Sequence, residues 1–322
     1  MSCAWRFALI GLAVMTLAGL GLAWQGWRIY TQPGPLAENS RIIVEQGQSV
    51  RGIARALKDR GAISDPRAFR VAARLSGDSR HLRAGEYALP AQVSIAGLLD
   101  ILRHARPVAR LVTIPEGVTS VRAVDLLMAA EGLKGEITTP PEGELLPDSY
   151  QYHWGDSRQD LLLRMMAAQD TLMDRLWPER ADDLPYTDSY QALILASIIE
   201  KETGVATERR QVASVFVNRL RRGMRLQSDP TVIYGLTAGE PLGRPLRQSE
   251  LERETPYNTY RMRGLPPTPI ANPGGASIRA ALDPAETDYL YFVADGSGGH
   301  AFAETLGAHN RNVAQWRRLQ RQ

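Results

Sequence analysis

The sequence predicts an α+β protein behind one N-terminal membrane helix, and three observations carry that prediction. An uncharged apolar run fills Phe7 to Trp24. Short strand-like runs alternate with amphipathic helical patterns from Arg41 to about residue 155. From Leu161 the patterns become long and helical, then give way to proline-rich loops and one late strand. Composition agrees, since 44% hydrophobic and 23% charged residues over 322 positions describe a globular chain. With 38 basic and 35 acidic side chains the net charge is only +3, which excludes the basic bias of a nucleic-acid binder. Cys3 is the single cysteine, so neither a disulfide framework nor a cysteine-based metal site is expected. No apolar stretch precedes it, so it does not read as a lipid-attachment site.

The run at 7–24 holds about 18 residues, just enough to cross a bilayer as a helix. Arg6 precedes it, and Trp24 and Trp27 stand at its far edge as interface anchors. Residues 1–30 are therefore expected to form a cytoplasmic tip and transmembrane anchor. A cleaved signal peptide is the competing reading, helped by the small residues Ala18 and Gly19, although signal cores are usually shorter. Both readings export the rest of the chain. Residues 31–40, with Pro33-Gly34-Pro35, read as a linker. A free chain of about nine residues reaches at most roughly 30 Å.

A small lobe is expected over 41–108. Arg41 to Val44 reads as a strand and Gly47 as a turn. Ser49 is placed to cap a helix with Val50, Ile53, Ala54 and Leu57 on one face. Gly61 ends that helix, and Ser64 before Asp65-Pro66 opens another. Gly85 to Leu89 reads as a return strand, and Ser94 opens a helix with Ile95, Leu98, Leu99 and Leu102 inward. This strand–helix–helix–strand order resembles the LysM glycan-binding module. A second small lobe is expected over 109–155. The segment Ile114-Pro115-Glu116-Gly117-Val118-Thr119-Ser120-Val121-Arg122 echoes Val44-Glu45-Gln46-Gly47-Gln48-Ser49-Val50-Arg51 with one inserted residue. Related lobes and a common strand-to-helix turn with similar caps both explain the echo.

The last region, 156–322, carries the chemistry. Leu161 to Trp177, Ser189 to Glu202 and Glu208 to Arg222 read as helices, the third with Val212, Val215, Phe216 and Leu220 inward. After Gly223 short strands and proline-rich loops are expected, then a buried strand at Tyr289 to Val293 and a helix over 309–319. The helix ending in Ile198-Ile199-Glu200-Lys201-Glu202 places a carboxylate at the end of an apolar element. Apolar surroundings disfavour the charged form and raise a carboxyl pKa, as a glycosidase general acid requires. Taken alone, Glu200 is better read as simply the place where a buried helix meets water. Glu202 lies about 200° further round the helix, so both cannot face one bond.

Polar clusters follow Glu200: Gln227-Ser228-Asp229-Pro230-Thr231-Val232 beside an expected strand, and Thr255-Pro256-Tyr257-Asn258-Thr259-Tyr260 on a constrained loop. Aromatic faces with nearby amides suit a sugar. Gln227, Asp229, Tyr257, Asn258 and Tyr260 are the candidate saccharide contacts. The five histidines, at 81, 104, 153, 300 and 309, lack metal-ligand spacing, and Gly296-Ser297-Gly298-Gly299 lacks the lysine and helix of a phosphate loop. No metal or cofactor is expected.

On these residues the chain resembles the endolytic murein transglycosylase (YceG-like) family. The resemblance rests on Ala196 to Thr203, Leu226 to Tyr234, Tyr257 to Tyr260 and Gly264-Leu265-Pro266-Pro267. Tyr289 to Val293, Gly299-His300 and His309-Asn310 add to it, as do Glu142-Gly143 and Leu146 to Tyr150 upstream. Glu144 departs from it, standing where an aromatic or other large residue is expected. Tyr257-Asn258 is similar to a Tyr-Asn pair of lysozyme-like lytic transglycosylases. The resemblance implies a catalytic glutamate at Glu200, an inner-membrane anchor with a cytoplasmic N-terminus, a LysM-like module and a periplasmic transglycosylase domain over 156–322. It also implies peptidoglycan glycan strands as substrate, cut near the membrane beside the synthases, and termination of strand elongation. A muramidase-type hydrolase using Asp229, and a silent glycan-binding scaffold, are the alternatives.

Overall fold

Most helices begin where a short polar side chain closes the first turn. The computed structural model describes residues 3–320. The Cys3 thiol and the Arg6 side chain lie outside the described side chains, and Met1–Ser2 and Arg321–Gln322 lie outside the described residues. Helix α1 (Cys3–Thr31) is followed by β1 (Ser40–Val44), α2 (Val50–Asp59), α3 (Pro66–Leu75), β2 (Gly85–Leu89) and α4 (Ile95–His104). Then come β3 (Ala109–Thr113), α5 (Ser120–Ala129), β4 (Ser149–His153), α6 (Arg158–Leu176), α7 (Ser189–Glu202) and α8 (Arg209–Arg221). The chain closes with α9 (Asp229–Thr237), α10 (Gln248–Glu252), α11 (Gly275–Leu282), β5 (Tyr291–Ala294), β6 (His300–Ala303) and α12 (Leu306–Leu319). The strands pair as three ribbons: β1 with β2, β3 with β4, β5 with β6. The overall class is the expected α+β.

The chain divides into two compact units. One runs through Arg110 and includes Glu131–Lys134 and Gln151–Asp156; the other holds Leu111–Ala130, Gly135–Tyr150 and everything from Ser157 onward. In the first unit β1 and β2 are antiparallel, with Ile42 opposite Tyr87 and Val44 opposite Gly85. Ile53, Ala54 and Leu57 of α2, Phe69 and Ala73 of α3, and Leu98, Leu99 and Leu102 of α4 close a core over this ribbon. Ser49 accepts from the Gly52 N–H and caps α2, as expected. Asp65, not Ser64, caps α3, because its Oδ1 takes the Arg67 N–H at 2.8 Å while Pro66, needing no N–H partner, fills the first turn.

Within α1, Leu9–Thr31 is long and apolar enough to cross a membrane, and its large apolar side chains stand exposed. The residues after it do not form a free tether. The Gly34 N–H donates to Gln92 O (3.0 Å), the Gln92 N–H to Leu36 O (2.8 Å), and Asn39 Oδ1 takes the Ala91 N–H (2.9 Å). Gly34 is required there, since a Cβ would lie 2.3 Å from the Val93 carbonyl oxygen. The reach of a flexible nine-residue linker therefore does not apply.

The second unit is organised around α7, whose residues Ala192 to Ile199 are buried on every side. Phe216 and Val212 of α8, Ile278 and Ala281 of α11, and Leu172 of α6 pack around it. Helix α6 starts at Arg158 behind its Ser157 cap, slightly before the expected Leu161. The stretch after Gly223 is corrected: helices α9, α10 and α11 come first, and short strands, β5 and β6, only after them. Pro256, Pro266, Pro267, Pro269 and Pro273 lie in loops, as expected, whereas Pro230 sits in the first turn of α9. The late strand is β5, half-buried rather than buried, because its single partner is β6.

Candidate active site

A helix apolar on all sides can only end where the core ends, and α7 ends at two carboxylates. The Glu200 side chain is 7% exposed. Its Oε2 accepts the Gly274 N–H at 2.9 Å, and its Oε1 lies 3.8 Å from Arg209 Nη2. Its immediate partners are thus a backbone N–H and a guanidinium, not the apolar surface that the sequence suggests. Arg209 opens α8, and its Nε is buried with no partner.

Two loops bring the remaining groups to Glu200. The first follows β3: the Gly117 N–H donates to Asn272 O (2.9 Å), and Lys201 Nζ donates to Gly117 O (3.1 Å). A Cβ on Gly117 would touch Glu200 Cγ at 3.4 Å. Glu116 lies against Gly274, where an added Cβ would fall 1.8 Å from Glu116 Oε1. A second carboxylate therefore stands beside the residue that holds Glu200. The other loop is fixed by Asn272, fully buried. Its Oδ1 accepts the N–H groups of Gly143 and Leu145, each at 3.1 Å, and its Nδ2 donates to Val118 O at 3.1 Å. Glu142 on that loop accepts the Ser120 N–H, and burial raises its pKa.

Glu202 faces a different group of residues, as the helical rotation requires. Ser228 Oγ donates to its Oε1 at 2.5 Å. Ser228 precedes α9 yet makes no capping bond of its own, because its hydroxyl is given to Glu202. Burial pushes the Glu202 carboxyl up to about 7, and nearby Asp229 adds to the rise while Ser228, His300 and Arg219 oppose it. Burial at the end of α7 thus raises the Glu202 carboxyl.

The expected saccharide contacts separate into three situations. Gln227 is exposed, with a left-handed backbone (φ 52°) that is costly for a non-glycine residue. Tyr260 donates to Asp229 Oδ1 at 2.6 Å, so these two act as one unit at the start of α9, and α9 replaces the expected strand. Burial and the Asp229 carboxylate raise the Tyr260 phenol. Tyr257 is half-buried, its hydroxyl 2.8 Å from Thr268 Oγ1 and its ring 5.0 Å from that of Tyr234. Asn258 is corrected: it is 1% exposed, its Nδ2 donates to the carbonyls of Glu250, Leu251 and Arg253, and its Oδ1 accepts the Tyr260 N–H. Its amide is used up in holding the loop and cannot face a ligand.

Arg209, Glu116 and Gly274 escaped the sequence reading. Only the echo between the Glu45 and Glu116 segments pointed toward Glu116. His300 lies away from Glu200 in its bonding, paired through Nδ1 with Glu208 at 2.8 Å. Among the described residues no three His, Cys, Asp or Glu side chains gather as a metal-ligand set.

The YceG-like family matches residues 42–315 of this chain. The chain belongs to that family. It is 33% identical over 303 residues to the endolytic murein transglycosylase of Bacillus subtilis (strain 168), covering 84% of this chain and 82% of the relative. It is 26% identical to the protein of the same name from Streptococcus pneumoniae (strain D39), covering 87% of this chain and 60% of that one. A crystal structure of a YceG-like protein from Listeria monocytogenes superposes with a TM-score of 0.54 at 29% identity, over 85% of this chain and 98% of that one.

Proposed function

We propose that this protein is an endolytic peptidoglycan lytic transglycosylase with Glu200 as its acid and base. The observation that carries this reading is the Glu200 carboxylate, held at the end of a buried helix by the Gly274 N–H, in a chain whose relatives bear that name. Glu200 protonates the glycosidic oxygen between N-acetylmuramic acid and N-acetylglucosamine, and the C1–O bond breaks. The ionised carboxylate then takes the proton of the muramic C6 hydroxyl, whose oxygen closes on C1. The products are a 1,6-anhydromuramic end and a free N-acetylglucosamine end, with no water consumed. Arg209 and the Gly274 N–H keep the carboxylate in one orientation through both proton transfers, which is the contribution of positioning to such a step.

Asp229, tied to Tyr260, with Gln227 and Tyr257 are placed in this reading on the saccharide side. The N-terminal lobe grips glycan, α1 anchors the chain in the inner membrane with the catalytic unit in the periplasm, and cutting close to the synthases ends strand elongation. Mass spectrometry of peptidoglycan digested by the full chain tests the reaction. Muramic ends one water lighter than reducing ends, lost in Glu200→Gln, are expected. Reducing ends would instead identify a hydrolase, and undiminished cleavage by Glu200→Gln would overturn the assignment of Glu200.

A further inference from the structure

A cavity of about 310 Å³ opens between α6, the start of α7 and the loop that carries Glu144. That volume is at the small end of the range for small-molecule sites. Glu144 and Asp170 supply its charged lining, and Tyr190 supplies an aromatic face that is 45% exposed. Met166, Met173 and Leu193 make the rest of the wall largely apolar.

Gln169 shows that this cavity is more than a gap between helices. It belongs to the cavity wall and is 3% exposed, yet neither its Nε2 nor its Oε1 has a hydrogen-bond partner. A buried amide left unpaired costs on the order of 1–3 kcal/mol, so its presence calls for a partner that supplies both a donor and an acceptor. The two carboxylates indicate the charge of that partner. Burial and the nearby Asp170 carboxylate both raise the Glu144 pKa, so a cation between them relieves a repulsion already in place.

The cavity is also connected to Glu200. Glu144 stands between Gly143 and Leu145, whose N–H groups are both held by Asn272 Oδ1, and two residues beyond Asn272 the Gly274 N–H holds Glu200. Burial chiefly, with the Glu144 carboxylate adding to it, raises the Tyr190 phenol. The same backbone thus fixes the cavity and the candidate catalytic carboxylate.

We propose that this cavity binds a primary ammonium on an unbranched aliphatic stem, namely the side chain of a diamino acid in the peptide stem of peptidoglycan. The carboxylates take the ammonium, the Gln169 amide turns into the cavity to pair with the adjacent peptide group, and the methionines and Tyr190 enclose the methylenes. The proposal rests on the reading that peptidoglycan is the substrate, and it makes the enzyme selective for strands bearing stems with a free side-chain amine.

Calorimetric titration of the full chain tests it with three probes: L-alanyl-γ-D-glutamyl-L-lysine, the same peptide acetylated on its lysine Nε, and cadaverine. The free tripeptide is expected to bind at least about tenfold more tightly than the acetylated one and than cadaverine. Glu144→Gln combined with Asp170→Asn is expected to remove the difference between the two peptides. Equal binding of both peptides to the unaltered protein would overturn the proposal, as would a difference that survives in the double variant. Cadaverine binding as tightly as the tripeptide would overturn the peptide as its source. The acetylation comparison needs no variant, so it stands even where the variant fails to fold. Because binding requires no cleavage, a chain that distinguishes the peptides but cuts no glycan refutes the transglycosylase reading and leaves the cavity's ligand in place.

Discussion

Between β1 and α2, a glycine with φ 76° turns the chain and Ser49 caps the helix; between β3 and α5, a glycine with φ 75° does the same and Thr119 caps. The two turns have almost the same local form and opposite fates. Glu45 of the first points to the surface, bonded to Lys134 Nζ at 2.8 Å and Trp154 Nε1 at 3.1 Å, and a Cβ on Gly47 would meet nothing within 4 Å. Glu116 of the second lies against Gly274, and Gly117 covers Glu200. Local sequence sets the turn, and what the turn is packed against decides whether it serves stability or chemistry.

Matched substitutions test that contrast. The largest difference is expected from the glycines. Gly117→Ala combines left-handed strain with a methyl in contact with Glu200 Cγ, and a backbone shift of about 1 Å that relieves the strain there is expected to lower kcat about 100-fold. Gly47→Ala, strained in the same way but in open space, is expected to cost about 1 kcal/mol of stability and no activity. Equal activity losses in glycan-release assays would break the comparison.

Acid and base should separate the two units next. Glu202 is raised from 4.5 to about 7, so the folded state keeps a proton that the unfolded chain has lost. Its contribution is complete below about pH 4.5 and disappears as pH rises through about 7. In the other unit, Arg110 and Arg41 lower Glu86, and Lys134 and Trp154 lower Glu45. Their contribution is present above the ordinary 4.5 and is lost as pH falls below it. Thermal melts followed by hydrogen exchange are expected to show the Glu202 unit firming from pH 7 to 5, and Glu202→Gln removing that trend. A unit that loosens over the same interval would contradict the sign.

The caps give the smallest effect. Ser49→Ala and Thr119→Ala are each expected to destabilise by about 1 kcal/mol, measured in urea, with only Thr119→Ala also lowering activity. Comparable activity in both variants would show that the second turn needs no exact placement.

Much of the scaffold was legible because its causes are local. Ile53, Ala54 and Leu57 recur at helical spacing, and Ala192 to Ile199 is apolar but for Ser197, so both elements lie where the sequence pattern puts them. The strand expected beside Gln227 to Val232 is instead helix α9, whose first turn suits Pro230. In the candidate site the sequence pointed to the Glu200 position but not to the groups that hold it. Nothing near residue 200 announces Arg209's orientation, a Gly274 N–H 74 positions away, or Glu116 beyond it. Nor does an asparagine in a loop reveal whether its amide faces a sugar or, like Asn258, three carbonyls of its own chain.

Glu200 takes its closest hydrogen bond from the main chain of Gly274 and is covered by the main chain of Gly117. Every amino acid supplies the same peptide group, so no substitution at those positions other than proline can delete such a contact; it can only intrude by adding bulk. Inheritance therefore reaches this part of the site through steric tolerance rather than through chemical identity. The neighbourhood of Glu200 should accept varied side chains facing outward while rejecting a single methyl at either glycine.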